Sequence, residues 1–282
     1  MTTAPTPTAP TKVAPDFETL LASDTQPTPP GPLSATLTLT WRAALKLKRN
    51  AVEHTIDLLL MPVIFLLIFN YLFGGAFAGS TSEYLQFFLP GVLVMSAVLL
   101  TTSTGVTVNL DIVKGIFDRF RTMPFWQPAS LVGTMVADLG RYLVALVLTA
   151  GLGLLLGFRP EAGLVGVLQA FALILVFTFA FSWIFTALGL VVSKPETLQA
   201  TSILLMAVVF CSNIFVDSDT MPGWMQTIVD INPVSHMATA SRGLLHGTAT
   251  TWDLALVGVS TVVLLVVFGP LTMYLYNRKK NA

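Results

Sequence analysis

The residues able to do acid–base, nucleophilic or metal chemistry are few in this chain and poorly spaced for it. There are three histidines and one cysteine in 282 residues. Ser235 and His236 are neighbours. Adjacent side chains on a helix point about 100° apart, so a serine nucleophile and its base cannot face each other there. His236 and His246 have no third ligand close by in sequence, and no metal site is expected from them. Cys211, set in VVFCSNIF, reads as a packed, inert thiol. Asp138 and Arg141 fall inside an apolar stretch. An ionisable group at the centre of a bilayer costs ~2.5–3.5 kcal/mol on insertion scales, so each needs an account. Three residues apart, the two can pair on one helical face or meet a cargo.

A second kind of chemistry is docking. In DIVKGIFDRFRTMPFWQP, the helical period puts Val113, Ile116, Phe117, Phe120 and Met123 on one side and Lys114, Asp118, Arg119, Arg121 and Thr122 on the other. Pro124 ends the run, which predicts a short helix over 112–124. Two aromatics beside three cations suit the lipid interface or a groove on a cytoplasmic partner. No lysine sits in a GxxxxGK[ST] phosphate loop, so the chain does not bind ATP by that route and is not expected to be an enzyme.

The elements that must position these residues are membrane helices. The chain is 54% hydrophobic and 11% charged, against about 25% charged for a soluble domain. That excludes a soluble fold. The net charge of zero leaves no electrostatic footprint for nucleic acid, and no such partner is expected. Residues 1–32 form a Thr/Pro-rich tail without the basic start or apolar core of a signal peptide. Leu33–Asn50 predicts an amphipathic helix, with Leu37, Trp41, Ala44 and Leu45 on one face and Arg42, Lys46 and Arg49 opposite, suited to the membrane surface. Six apolar blocks follow at about Ile56–Phe73, Phe87–Val108, Val136–Phe158, Leu164–Val192, Leu198–Val216 and Leu254–Tyr276. Pro62 and Pro90 read as kinks. With the amino terminus cytoplasmic, twelve basic residues fall inside and only Arg159 and Arg242 outside, which places both termini in the cytoplasm.

Between the fifth and sixth blocks lies FVDSDTMPGWMQTIVDINPVSHMATASRGLLHG. Asp219 or Thr220 can cap a helix with Pro222 in its first turn, and Asn232 can cap a second that opens at Pro233. Trp224, Ile228 and Ile231 recur at helical spacing in the first, and Val234, Met237 and Leu244 in the second. Both are too short to span, so residues 217–247 predict a re-entrant hairpin that either gates a path or caps it rigidly.

GIFDRFRTMP, ADLGR and PGWMQTIVDINPVSHMATASRGLLHG resemble the permease subunits of type-2 ABC exporters, nearest to the daunorubicin/doxorubicin-resistance permease group. The resemblance covers nearly all of the chain after Pro32. It implies an all-α membrane domain over 51–282 with six transmembrane helices in the plasma membrane. Ile116, Phe117, Asp118, Arg119, Phe120 and Arg121 would lie on a coupling helix docked into a separate nucleotide-binding subunit, which carries ATP and Mg. Pro222, Trp224, Asn232, Pro233 and Arg242 would belong to the extracellular hairpin. No cofactor is implied on this chain itself. A second permease chain and membrane lipid are the other implied partners. Amphiphilic drug-like or lipid-like cargo is the expectation from the resemblance; export of polysaccharide or a glycolipid fits the same architecture. An intramembrane enzyme and a plain membrane anchor are the alternatives of other classes.

Overall fold

In the computed structural model, residues 31–49, 51–116 and 128–280 are described, and they form nine α-helices and one 3-10 turn with no strand among them. The helices are α1 (Pro32–Arg49), α2 (Ala51–Ala78), α3 (Thr81–Val113), α4 (Ala129–Leu155), α5 (Gly163–Val191), α6 (Pro195–Phe210), α7 (Gly223–Ile231), α8 (Pro233–His246) and α9 (Thr251–Lys280). Four of them, α3, α4, α5 and α9, are long and apolar enough to cross a membrane. Two shorter apolar stretches are Leu60–Ala76 in α2 and the 16 residues of α6.

Helix α3 is the axis of the bundle and packs against α2, α4, α5, α6 and α8. From Phe88 to Val98 every residue is buried. At the end of the bundle that holds α7 and α8, Phe69 of α2, Phe88 of α3 and Phe210 of α6 gather around Phe215, the last two rings stacking at 4.8 Å between centroids. Such ring pairs contribute ~0.5–1.5 kcal/mol beyond their buried area. Midway, α3 and α5 touch backbone to backbone. A Cβ on Gly105 would collide with the Phe185 carbonyl, and one on Gly189 with the Gly105 carbonyl. One turn on, Asn109 Nδ2 donates to the Gly189 carbonyl at 2.9 Å and to the Val192 carbonyl at 2.5 Å, closing the end of α5.

Helix α1 packs its Ala35–Thr40 side on the start of α4 at Gly133, and leaves Leu33, Leu37, Trp41 and Leu45 exposed as a stripe. Helix α9 touches α5 and α8 and turns a valine-rich face outward.

Several boundaries differ from those the sequence predicts. The second apolar block, expected from Phe87, becomes a 33-residue helix from Thr81, because Ser80 Oγ accepts from the Glu83 N–H at 3.1 Å and caps it. The fifth block is helical only to Phe210; Cys211–Val216 is a series of turns. Non-helical backbone of this kind survives in an apolar core only where partners satisfy it. Here they are supplied by Asn232 Nδ2 to the carbonyls of Val208 and Cys211, Arg242 to Asn213 and Tyr84 to Phe215. The helix predicted over 112–124 is interrupted at its start. Ile112 and Val113 end α3, and Gly115 turns with φ 66°, a left-handed value that glycine adopts without strain. Pro222 precedes α7 instead of lying in its first turn, and the capping carboxylate is Asp217, whose Oδ1 accepts from the Asp219 N–H at 3.3 Å to close a single 3-10 turn, Ser218–Thr220.

Candidate translocation site

Between α2, α3 and α6 lies a cavity of about 560 Å³. Met61 and Pro62 of α2 and Leu99, Leu100 and Val106 of α3 make its apolar walls. Ser96, Thr102 and Ser103 of α3 and Gln199 and Ser202 of α6 make its polar side. The Ser96 hydroxyl is turned to the Leu93 carbonyl and that of Ser202 to the Gln199 carbonyl, so both present lone pairs to the cavity side. Thr102 Oγ1 is buried and has no hydrogen-bond partner among the described residues. The arrangement can hold an apolar body and bond a few polar substituents on one flank. It brings together no nucleophile and base.

Directly behind the Ser103 wall is a buried ionic cluster between α3 and α4. Arg141 Nη2 donates to Ser103 Oγ at 2.8 Å and lies 3.4 Å from Asp138 Oδ1. Thr104 Oγ1 donates to Asp138 Oδ2 at 2.6 Å. With its one proton used there, Thr104 accepts from the Tyr142 hydroxyl, also at 2.6 Å. Arg141 Nε has no hydrogen-bond partner among the described residues. Arg141 Nη2 also lies 3.4 Å from the Leu100 carbonyl, so the pair meets the cavity wall at Leu100 and Ser103.

At the end of the bundle that holds α7 and α8, Asn232 Oδ1 accepts from the Val234 N–H at 2.9 Å and caps α8, which opens at Pro233. Asn213 Nδ2 donates to Thr239 Oγ1 at 2.7 Å. Arg242 is the centre of the junction with α3: Nε donates to the Phe87 carbonyl at 3.1 Å, Nη2 to the Asn213 carbonyl at 3.2 Å, and the guanidinium lies 3.8 Å from the Phe87 ring centroid. Val234 and Met237 are buried in this contact. Trp224, Ile228 and Ile231, at the predicted spacing on α7, instead face away from the bundle and are exposed.

Of the remaining sequence-predicted residues, Ile116 follows the Gly115 turn in a helical conformation and is half-buried. Phe117, Asp118, Arg119, Phe120 and Arg121 lie outside the described residues. The cavity residues were missed from the sequence, although a signal was present. TTSTGVTVN, from Thr101 to Asn109, sets six hydroxyl or amide side chains inside an apolar block.

An all-helical bundle with several membrane-length apolar helices and a mixed cavity beside a buried ion pair defines a multi-pass membrane transport protein. The chain belongs to the ABC-2 type transporter family, which it matches over residues 34–246. It is 55% identical to the daunorubicin resistance ABC transporter permease protein DrrB1 of Streptomyces coeruleorubidus, with all of both chains covered. It is 23% identical over 216 residues to the probable doxorubicin resistance ABC transporter permease protein DrrC of Mycobacterium tuberculosis, covering 76% of this chain and 78% of that one. The putative transport permease ycf38 of Cyanophora paradoxa is 24% identical over 251 residues, covering 84% of this chain and 86% of that one.

Proposed function

We propose that this chain is the permease subunit of an ATP-driven exporter that moves amphiphilic, drug-like molecules out across the plasma membrane. The observation that carries the cargo class is the cavity between α2, α3 and α6. Its volume of about 560 Å³ falls in the range of small-molecule sites, roughly 300–1,000 Å³, and it joins leucine and methionine walls to a flank of hydroxyls. The names of the relatives favour daunorubicin or a similar planar, hydroxylated compound. Export of a polysaccharide or glycolipid is the alternative cargo for the same architecture.

In this reading α2, α3, α4, α5, α6 and α9 are the six spans, and the excess of basic residues puts both termini in the cytoplasm. Helices α7 and α8 dip into the outer leaflet and return. The segment after Gly115, with Phe117 and Phe120 as anchors and Arg119 and Arg121 setting register, docks on a separate nucleotide-binding subunit that holds ATP and Mg. Two permease chains and two ATPase chains make the working unit, and Trp41 and Trp224 meet lipid at the two interfaces.

The test is reconstitution of the chain with its ATPase subunit in liposomes, with daunorubicin as the probe. ATP-dependent drug movement that stops when the ATPase is left out supports the reading. A complex that hydrolyses ATP but moves no daunorubicin overturns the cargo class, and a chain that captures no ATPase overturns the permease role.

A further inference from the structure

Pro90 interrupts α3 where the helix is most tightly enclosed. A proline has no N–H, so the Gln86 carbonyl one turn earlier loses its helical donor. This carbonyl is partly buried, and left without a donor it would forfeit a hydrogen bond. The structure supplies one from 160 residues away: His246 Nε2 lies 3.0 Å from the Gln86 oxygen. A carbonyl can only accept, so the imidazole carries its proton on Nε2. His246 is one helical turn beyond Arg242 on α8, and Arg242 bonds the next carbonyl of α3, that of Phe87. The i, i+4 pair on α8 therefore spans the gap in the α3 ladder. The same Gln86 ties down the α4–α5 loop, with Nε2 donating to the Gly157 carbonyl and Oε1 accepting from the Arg159 N–H. Phe158 in that loop meets the His246 ring edge-on at 6.0 Å.

We infer that His246 is a positioning residue for the translocation site: by replacing the hydrogen bond that Pro90 removes, it fixes the segment of α3 that lines the cavity. The lower part of α3 is anchored by Thr104 on Asp138 and Tyr142 and by the Gly105–Phe185 contact. The upper part is anchored by His246 and Arg242. Ser96 to Ser103 lie between those anchors, so the direction they take toward α6 depends on both. The requirement is for a donor at Nε2, and a neutral imidazole meets it.

The role in transport rests on the export reading above; the geometry itself does not, and the experiment separates them. The full-length chain in lipid nanodiscs is followed by hydrogen–deuterium exchange, with no cargo present. His246→Leu is expected to speed exchange of the amides at 81–89 by about tenfold, the scale set by one lost hydrogen bond. His246→Gln, which keeps a donor, should restore slow exchange. Pro90→Ala returns an N–H to the Gln86 carbonyl, so adding His246→Leu to Pro90→Ala should change nothing further. Unchanged exchange in His246→Leu, or an equal increase in both backgrounds, overturns the inference. In the reconstituted complex, His246→Leu should raise the half-saturating daunorubicin concentration severalfold and His246→Gln should not. A wild-type complex that ignores daunorubicin removes the proposed cargo and leaves the exchange cycle to decide on the positioning.

Discussion

The hydroxyl oxygens of Thr104 and Tyr142 stand 2.6 Å apart although 38 residues separate them in the chain. That contact, with the Asp138 carboxylate on the other side of Thr104, fastens α4 to α3 by a polar cluster inside an apolar bundle. Its members are interdependent, because Asp138 is bonded by both Thr104 and Arg141, and Thr104 by both Asp138 and Tyr142.

Removing one side of the ion pair should therefore cost more than removing both. Arg141→Gln alone is expected to destabilise the chain by ~3–5 kcal/mol, and Asp138→Asn combined with Arg141→Gln by clearly less. Thermal unfolding of the purified variants in one detergent checks this. A double variant as damaged as the sum of the two single ones would rule the cluster out as a coupled unit.

Asn232 acts on two elements at once. It caps α8 through Oδ1 and closes the end of α6 through Nδ2. Asn232→Asp should keep the first function and lose the second, giving a stability between wild type and Asn232→Ala. The full loss in Asn232→Ala is expected at about 2–3 kcal/mol, from a cap and two donated bonds. Melting temperatures of the three proteins give the order directly.

The contact of α3 with α5 tolerates no side chain. Gly105→Ala and Gly189→Ala should each lower the yield of folded protein sharply, whereas Gly140→Ala, with open space where its Cβ would go, should not. Size-exclusion profiles of fluorescent fusions provide the comparison.

Filling the cavity should separate transport from assembly. Ser202→Trp places a large ring on the α6 wall and is expected to abolish daunorubicin efflux while the ATPase subunit still co-purifies. Phe120→Ala should act on assembly instead, and efflux should fall with the loss of the ATPase. If Phe120 anchors the ATPase as proposed, its loss at ~2 kcal/mol is expected to weaken ATPase capture by roughly thirtyfold in a pull-down titration.

What could be read from the sequence followed periodicity and length. The long apolar blocks at Val136–Phe158 and Leu164–Val192 overlap α4 and α5, because runs of that length and composition admit little else. The Asn232–Pro233 start of α8 was equally legible, since cap and proline carry their own geometry. Phe210 as the end of α6 was not, because Cys211–Val216 is as apolar as the helix before it and is held by Asn232, Arg242 and Tyr84 from elsewhere in the chain. The outward turn of Trp224, Ile228 and Ile231 was hidden for a related reason: spacing identifies a face but not what that face meets. In the sequence His246 offers itself only as a metal ligand, and nothing local connects it to a proline so far away.

The bond between Gln86 and His246 also orders events during synthesis. At about 5–20 residues per second, the ribosome delivers His246 on the order of ten seconds after Gln86. Throughout that interval the carbonyl that Pro90 leaves open has no histidine to bind it, and the upper half of α3 must wait in a provisional state, hydrated or held by the insertion machinery. The innermost helix of the bundle is thus among the earliest to be made and among the last to be finished, and a chain truncated before α8 cannot complete it.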